Sequence, residues 1–575
     1  MSPSSSARRH LSALRLWSGL LVLGCLLMVS GVAFAQDGAI AVKLTPRLAD
    51  DSVERVDVDI TLTNPDIDTG EVLLALPLVR AMAPSALTDS ASMVAEDAAG
   101  PLPLTIDEDA PDPTNFNQGR RWRAGRATSG DVHVRYAAIP RVITPETRAG
   151  PLYDMRREGT GVYGAAATIL ALPPEGGPRP VRLSWDLSHM APGARGVSSL
   201  GEGDVDLVAP YEALANAFLM AGPVISQPKD GQGDFIGYWM TPPVYDLPGV
   251  LAELEPAYQS FAAFFDEAPT PFRVFMRTTP TFAGGGSGGY HSFIFGQVVD
   301  EPRDKAELLA LLTHETLHNW LNGLGEETSQ WWSEGSTSYY TPVLAYRAGL
   351  TDLDQFAAAM NDLARLYYEN PRSQLPNDEV TRLFFSDGDA QVVPYQRGPL
   401  YFAQLNARIR RALDGRRGVD DLVKALLAAR RTGGPYSKAA WVDLVRGELG
   451  DAGVEDFEAM MAGRPLDLPS DLLGACFTRE ATVTRRFEPG MRVDAAGRVL
   501  RVTAGSFAET AGVAVGDVLS DPEGWAEMGK REPGQLSLSV LRDGRPVELT
   551  FTPWGPERAG YRWVRTGVPE TACGI

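Results

Sequence analysis

Two short stretches of this chain carry side chains that could do chemistry together. One is His314-Glu315-Thr316-Leu317-His318; the other is Trp331-Trp332-Ser333-Glu334-Gly335, whose glutamate lies 16 residues beyond the second histidine. On a helix, residues i and i+4 sit about 40° apart around the axis, so His314 and His318 point the same way. Two imidazoles so placed can reach one ion, and Glu334 supplies a third donor. His, His and carboxylate form a Zn2+ ligand set, and three protein ligands leave a fourth position open, the pattern of a catalytic rather than a structural site. Glu315 falls beside that open side, where a carboxylate serves as general base. The plainer alternative is two satisfied core histidines on one helix. With 6 histidines in the chain, a chance H-E-x-x-H is expected at roughly a few in a thousand.

Those residues need elements to hold them. Asp304 is the expected N-cap of the histidine helix, with Glu307 completing a capping box and Gly323 as its stop; Leu308, Leu311 and Leu312 anchor it. A second helix carries Glu334 on through Tyr339 and Tyr340, with a kink or break at Pro342. Further helices are predicted at 352–368, 399–413, 419–429 and 437–449. Upstream, 247–265 has helical period and 271–276 reads as a strand. Next come Gly284-Gly285-Gly286-Ser287-Gly288-Gly289-Tyr290-His291, a run whose glycines permit close approach of another chain. No Lys-Ser/Thr follows it, so it is not a phosphate loop.

Outside this region the chain reads as strands. Val56, Val58, Ile60 and Leu62 alternate with Asp57, Asp59 and Thr61, a period of two with one wet face. Similar runs recur to about 190, predicting a β-sandwich-like domain. Between 485 and 555 short strands surround one helix, with Asp543-Gly544 as a hairpin turn.

At 575 residues the chain exceeds one ordinary core, so several domains are expected. A formal charge of −20 argues against nucleic acid or an anionic membrane as partner. Arg8, Arg9 and Arg15, the apolar run 20–29 and Ala33-Phe34-Ala35 form a signal peptide pattern, predicting export to a periplasmic or secreted location. Anchoring as a lipoprotein through Cys25 is disfavoured because the apolar run continues past it. No other stretch has some ~18 consecutive apolar residues, so no transmembrane segment is expected after cleavage. Cys476 and Cys573 then remain, free to pair or to stay as two separate thiols.

The catalytic stretch resembles the glycyl aminopeptidase family of zinc metallopeptidases, in the gluzincin group. The matching residues are His314-Glu315-x-x-His318-x-Trp320, Trp332-Ser333-Glu334-Gly335-x-Thr337-x-Tyr339-Tyr340, and Tyr395-x-x-Gly398-x-Leu400 with Ile409-Arg410. Gly505-Ser506-x-Ala508 and Ala511-Gly512-(x)3-Gly516-Asp517 resemble a PDZ domain. The resemblance implies a multidomain α+β chain: signal peptide 1–35, N-terminal β-domain 36–195, thermolysin-like, mostly helical catalytic domain 196–480, and PDZ-like unit 481–575. It implies zinc on His314, His318 and Glu334, Glu315 as general base, and Tyr395 as donor to the oxyanion, unless Tyr395 is a packed core residue. Gly288, Gly289 and His291 would line the substrate cleft. One departure matters. His291 stands where the family has a glutamate that meets a free substrate amine, and imidazole attracts an ammonium less than a carboxylate does. The expectation is an exported zinc aminopeptidase acting on peptide or protein substrates, with a possible peptide ligand for the PDZ unit. An endopeptidase of the same fold and a non-catalytic PDZ-bearing envelope adaptor are the alternatives.

Overall fold

A computed structural model describes residues 38–575 except 81–82, 87–91, 111–117, 145–146, 148–150, 175–176, 280–284, 326–328, 495, 530 and 532. The predicted leader, Cys25 and the first residue of the glycine run lie outside the described residues.

The N-terminal region is built of three sheets on a shared apolar core. Strand Ser52–Leu62 is the clearest case of sequence setting structure: Val56, Val58, Ile60 and Leu62 are buried while the residues between them are half-buried. It pairs antiparallel with Ile40–Ala49 and Val132–Ala138 in a seven-stranded sheet. A four-stranded sheet holds Val72–Arg80 and Gln118–Ala124, and a five-stranded one holds Gly161–Ala165, Phe218–Gly222 and Arg195–Ser198. Residues of all three, among them Ile60, Trp122 and Leu219, form one cluster. The boundary expected at 195/196 is corrected by this last sheet, which continues to Gly222; residues 195–222 are too short and broken in period to announce their pairing.

A second five-stranded sheet follows, ordered Ile225–Gln227, Phe235–Trp239, Phe272–Thr279, Ser292–Val298, Gly286–Gly289. Phe235–Trp239 and Phe272–Thr279 are parallel, which requires a crossover, and helix Leu247–Phe264 provides it. Gly286–Gly289 runs antiparallel along Ser292–Val298 and forms the sheet's edge. Against this sheet packs the helix Lys305–Leu317, followed by a layer of helices Gln330–Arg347, Leu353–Glu369 and Val393–Ala412 that shares a core with Val419–Arg431 and Lys438–Met461.

The two regions are fastened by buried polar groups. Arg277, fully buried at the end of Phe272–Thr279, pairs with Asp154 at 3.0 Å. Glu158 accepts the backbone N–H groups of Thr241 and Thr278. These bonds fix the segment 154–158 of the N-terminal region against the C-terminal ends of two interior strands of the second sheet, Phe235–Trp239 and Phe272–Thr279.

Toward the C-terminus, Phe477–Thr484 pairs with Arg558–Arg565, and Trp563 is held to Asn361 of helix Leu353–Glu369 by two hydrogen bonds. Between these strands lies a small β-rich unit with its own core around Val499, Leu519 and Val540. Its hairpin Leu536–Arg542/Arg545–Phe551 turns at Asp543 and Gly544, both with positive φ. Cys476 and Cys573 pair in a disulfide. Among the described residues no helix is long and apolar enough to cross a membrane.

Three helix boundaries correct the sequence expectation. The histidine helix ends at Leu317, not near Gly323; His318 is its C-cap and keeps α-helical dihedrals, so the i, i+4 relation survives. The next helix runs through Pro342 unbroken, because most of its length is buried and packing outweighs the lost bond. Tyr395 lies inside a helix that starts at Val393 rather than 399. Pro394 sits in its first turn, where a missing N–H costs nothing.

Candidate metal centre and cleft

Asp304 caps the histidine helix by accepting from the N–H groups of Ala306 and Glu307. Leu308, Leu312 and Leu317 bury one side, which turns His314 and His318 toward the helix Gln330–Arg347. The two Nε2 atoms stand 3.2 Å apart. Glu334 Oε2 lies 3.4 Å from His314 Nε2 and 3.3 Å from His318 Nε2. All three ligand atoms fall within 4.8 Å of one another.

The groups behind the imidazoles favour the same arrangement. Thr341 Oγ1 donates to the carbonyl of Thr337 at 2.8 Å, leaving its oxygen to accept from His314 Nδ1 at 3.5 Å. His318 Nδ1 faces the Leu321 carbonyl at 3.4 Å and Thr337 Oγ1 at 3.4 Å. A proton on each Nδ1 leaves each Nε2 lone pair free for an ion. Glu334 Oε2 is buried and has no hydrogen-bond partner. A buried carboxylate oxygen left unpaired is costly, and a cation between it and the two Nε2 atoms removes the cost. The donor set therefore fits Zn2+.

The electrostatics agree. Burial alone would raise the Glu334 carboxyl, but His318 and His314 outweigh it and hold it well below the usual carboxylate range. Burial would lower the His318 imidazole; the charge of Glu334 reverses this and holds it up to about 9 in the metal-free site.

Tyr395 joins this group. Its ring stacks on His314 with centroids 6.0 Å apart. Burial first, then the charges of Glu334 and Glu315, push its phenol well up, so it stays protonated as a donor. Its position depends on a helix crossing without side chains. A Cβ on Gly335 would lie 2.9 Å from Gly398 Cα, and one on Gly398 would overlap Gly335 Cα. Two glycines thus let the helices carrying Glu334 and Tyr395 touch backbone to backbone.

The edge strand Gly286–Gly289 forms the facing wall. A Cβ on Gly286 would come within 2.9 Å of Glu315 Oε1, so Glu315 lies directly on this strand. Gly289 is pressed against the carbonyl of Asn216 and the ring of Phe218, while Gly288 has open space beside it. His291 follows in the turn at φ 41°, its Nδ1 2.8 Å from Asn319 Oδ1. Its ring is thus held by the residue following His318.

Sequence reasoning missed two contributors from the N-terminal region. Leu152 N–H donates to Ser287 Oγ at 2.8 Å, and the Tyr153 hydroxyl donates to the Gly288 carbonyl at 3.4 Å. Tyr153 stacks on Phe218 and carries the guanidinium of Arg80 over its ring at 5.0 Å. No local pattern signals them, since they lie over 130 residues before the strand they meet.

No family model and no curated protein matches this sequence. Among solved structures, the chain is similar to an aminopeptidase N family protein from Idiomarina loihiensis. The TM-score is 0.62 at 17% identity, over 92% of this chain and 98% of that one. An M1 zinc metallopeptidase from Deinococcus radiodurans, in a mutant form bound to a Tyr-Ser-Ala substrate, aligns at TM-score 0.46 and 17% identity over 75% of this chain and 94% of that one. At such identities the first likeness establishes the fold: a β-rich N-terminal region followed by a helical one, in the arrangement of the aminopeptidase N structure.

Proposed function

We propose that this chain is a zinc-dependent peptidase, more specifically an exported aminopeptidase. The observation that carries the reading is the unpartnered, buried Glu334 Oε2 between His314 Nε2 and His318 Nε2. Bound there, zinc would lower the pKa of a water from 15.7 toward ~7 and polarise a peptide carbonyl. The residues do the rest. Glu315, lying on the edge strand, takes the proton of the attacking water and delivers it to the leaving amine. Tyr395, kept protonated, donates to the developing oxyanion. The free side of Gly288 and its neighbours offers backbone groups to an extended peptide.

The fold likeness to an aminopeptidase N family protein supports amino-terminal cleavage. One observation favours an endopeptidase instead: His291 occupies the place of the family's amine-binding glutamate and is tied to Asn319. The signal peptide pattern supports export, and the glycine motifs at 505–517 support reading the small unit as a PDZ domain that binds peptide ends. Glu315→Gln tests the mechanism: zinc is retained while turnover falls by roughly 10²–10⁴-fold. Turnover within tenfold of wild type would falsify the general-base role. Free and N-acetylated versions of one peptide separate the two specificities, since only an endopeptidase hydrolyses both.

A further inference from the structure

We propose that Arg80 is a specificity-determining cation of the cleft that recognises a carboxylate on the bound peptide. The inference rests on the peptidase reading for the nature of the ligand. Its grounds are separate.

Arg80 ends strand Val72–Arg80. Its neighbours on the adjoining strand are all neutralised: Arg120 pairs with Glu108, Arg121 with Asp107 and Asp109, and Arg123 with Asp107. Arg80 has no acidic partner among the described residues. It donates Nη2–H to Asn216 Oδ1 at 2.7 Å and lies over the Tyr153 ring. Among the described residues this one bond leaves most of the guanidinium's five N–H groups available, in a planar fork that suits a carboxylate.

The placement ties this cation to the reacting groups. The Asn216 that holds Arg80 also accepts, through its backbone carbonyl, the N–H of Tyr290 in the turn after the edge strand. Tyr153, beneath the guanidinium, bonds to Gly288 of that strand, and Glu315 packs on Gly286 two residues away. Tyr153 feels both charges: burial pushes its phenol up, Arg80 opposes this and Glu315 adds to it. A peptide lying along the edge strand passes between the metal site and Arg80. In a chain of net charge −20, with Glu315 and Glu334 at the centre, an acidic peptide is otherwise repelled. A half-buried guanidinium with no acidic partner among the described residues reverses that locally.

Binding is measured by titration calorimetry on zinc-loaded Glu315→Gln protein, using alanine-based hexapeptides. Each position in turn carries Glu or its isostere Gln, and each peptide ends in a carboxylate or an amide. The expected result is at least a tenfold tighter Kd for one carboxylate over its neutral counterpart, reduced to within twofold by Arg80→Gln and partly kept by Arg80→Lys. The series tells a side-chain carboxylate from a terminal one. Absence of any acidic preference, or a preference that survives Arg80→Gln, overturns the proposal. Wild-type turnover reads the peptidase claim separately. A binding contrast without hydrolysis overturns that claim and upholds Arg80, and hydrolysis without a contrast does the reverse.

Discussion

His314, His318 and Glu334, the proposed ligand set, have a charge state that would change with a bound ion. Without metal, Glu334 keeps the His318 imidazole protonated up to about 9. A metal needs the neutral ring, so binding must expel that proton whenever the pH lies below this value. Metal affinity is therefore expected to rise by up to tenfold per pH unit between 7 and 9 and to level above it. Calorimetry in buffers of different ionisation enthalpy checks this, by finding about one proton released per metal at pH 7. The sign for the metal-free fold is opposite. A raised histidine contributes stability below its unfolded pKa near ~6.5, and that contribution fades as pH rises through about 9. Tyr395 belongs to the same scale. On the proposed mechanism Tyr395→Phe removes one oxyanion donor and is expected to lower kcat about 10²–10³-fold with little change in KM. Equal losses in metal content and turnover would instead mark it as a packing residue.

At the scale of elements, the site is a meeting of three helices and a strand edge, and each junction has its own cost of failure. Gly398→Ala would drive the helices bearing Glu334 and Tyr395 apart. A loss of about 1–3 kcal/mol is expected, read as a fall in Tm together with a drop in kcat. Removing Asp154 leaves Arg277 buried and unpaired, which should cost about 3–5 kcal/mol and loosen Tyr153 from the edge strand. Chemical denaturation of Asp154→Ala tests that figure. These junctions also show what the sequence can and cannot disclose. The clustering of His314, His318 and Glu334 was legible because i, i+4 geometry and a nearby carboxylate are local facts. Tyr395 was reachable only through a family resemblance, since its partner His314 lies 81 positions earlier in the chain. The prolines misled in both directions, because punctuation rules describe exposed helices while Pro342 and Pro399 lie in buried ones. Arg80 and Tyr153 gave no local signal; only packing of two distant regions brings them to the strand.

For the whole molecule, the N-terminal β-region meets the glycine edge strand through Leu152 and Tyr153 besides holding a core of its own, and the C-terminal strands are bound back onto the helices. The Cys476–Cys573 bridge spans 97 residues, enclosing the small β-rich unit. Cys573→Ser should lower stability by about 2–4 kcal/mol while leaving the metal trio intact, as thermal unfolding and metal analysis would show. The central claim is that peptide hydrolysis by this chain depends on one ion held by His314, His318 and Glu334. It is tested most directly by stripping the purified protein with chelator and titrating zinc back while following hydrolysis of a free tripeptide. Activity is predicted to vanish on stripping and to return in proportion to zinc, saturating at one equivalent per chain, with no return in Glu334→Ala. Full hydrolysis by metal-free protein, or equal recovery in Glu334→Ala, would contradict it.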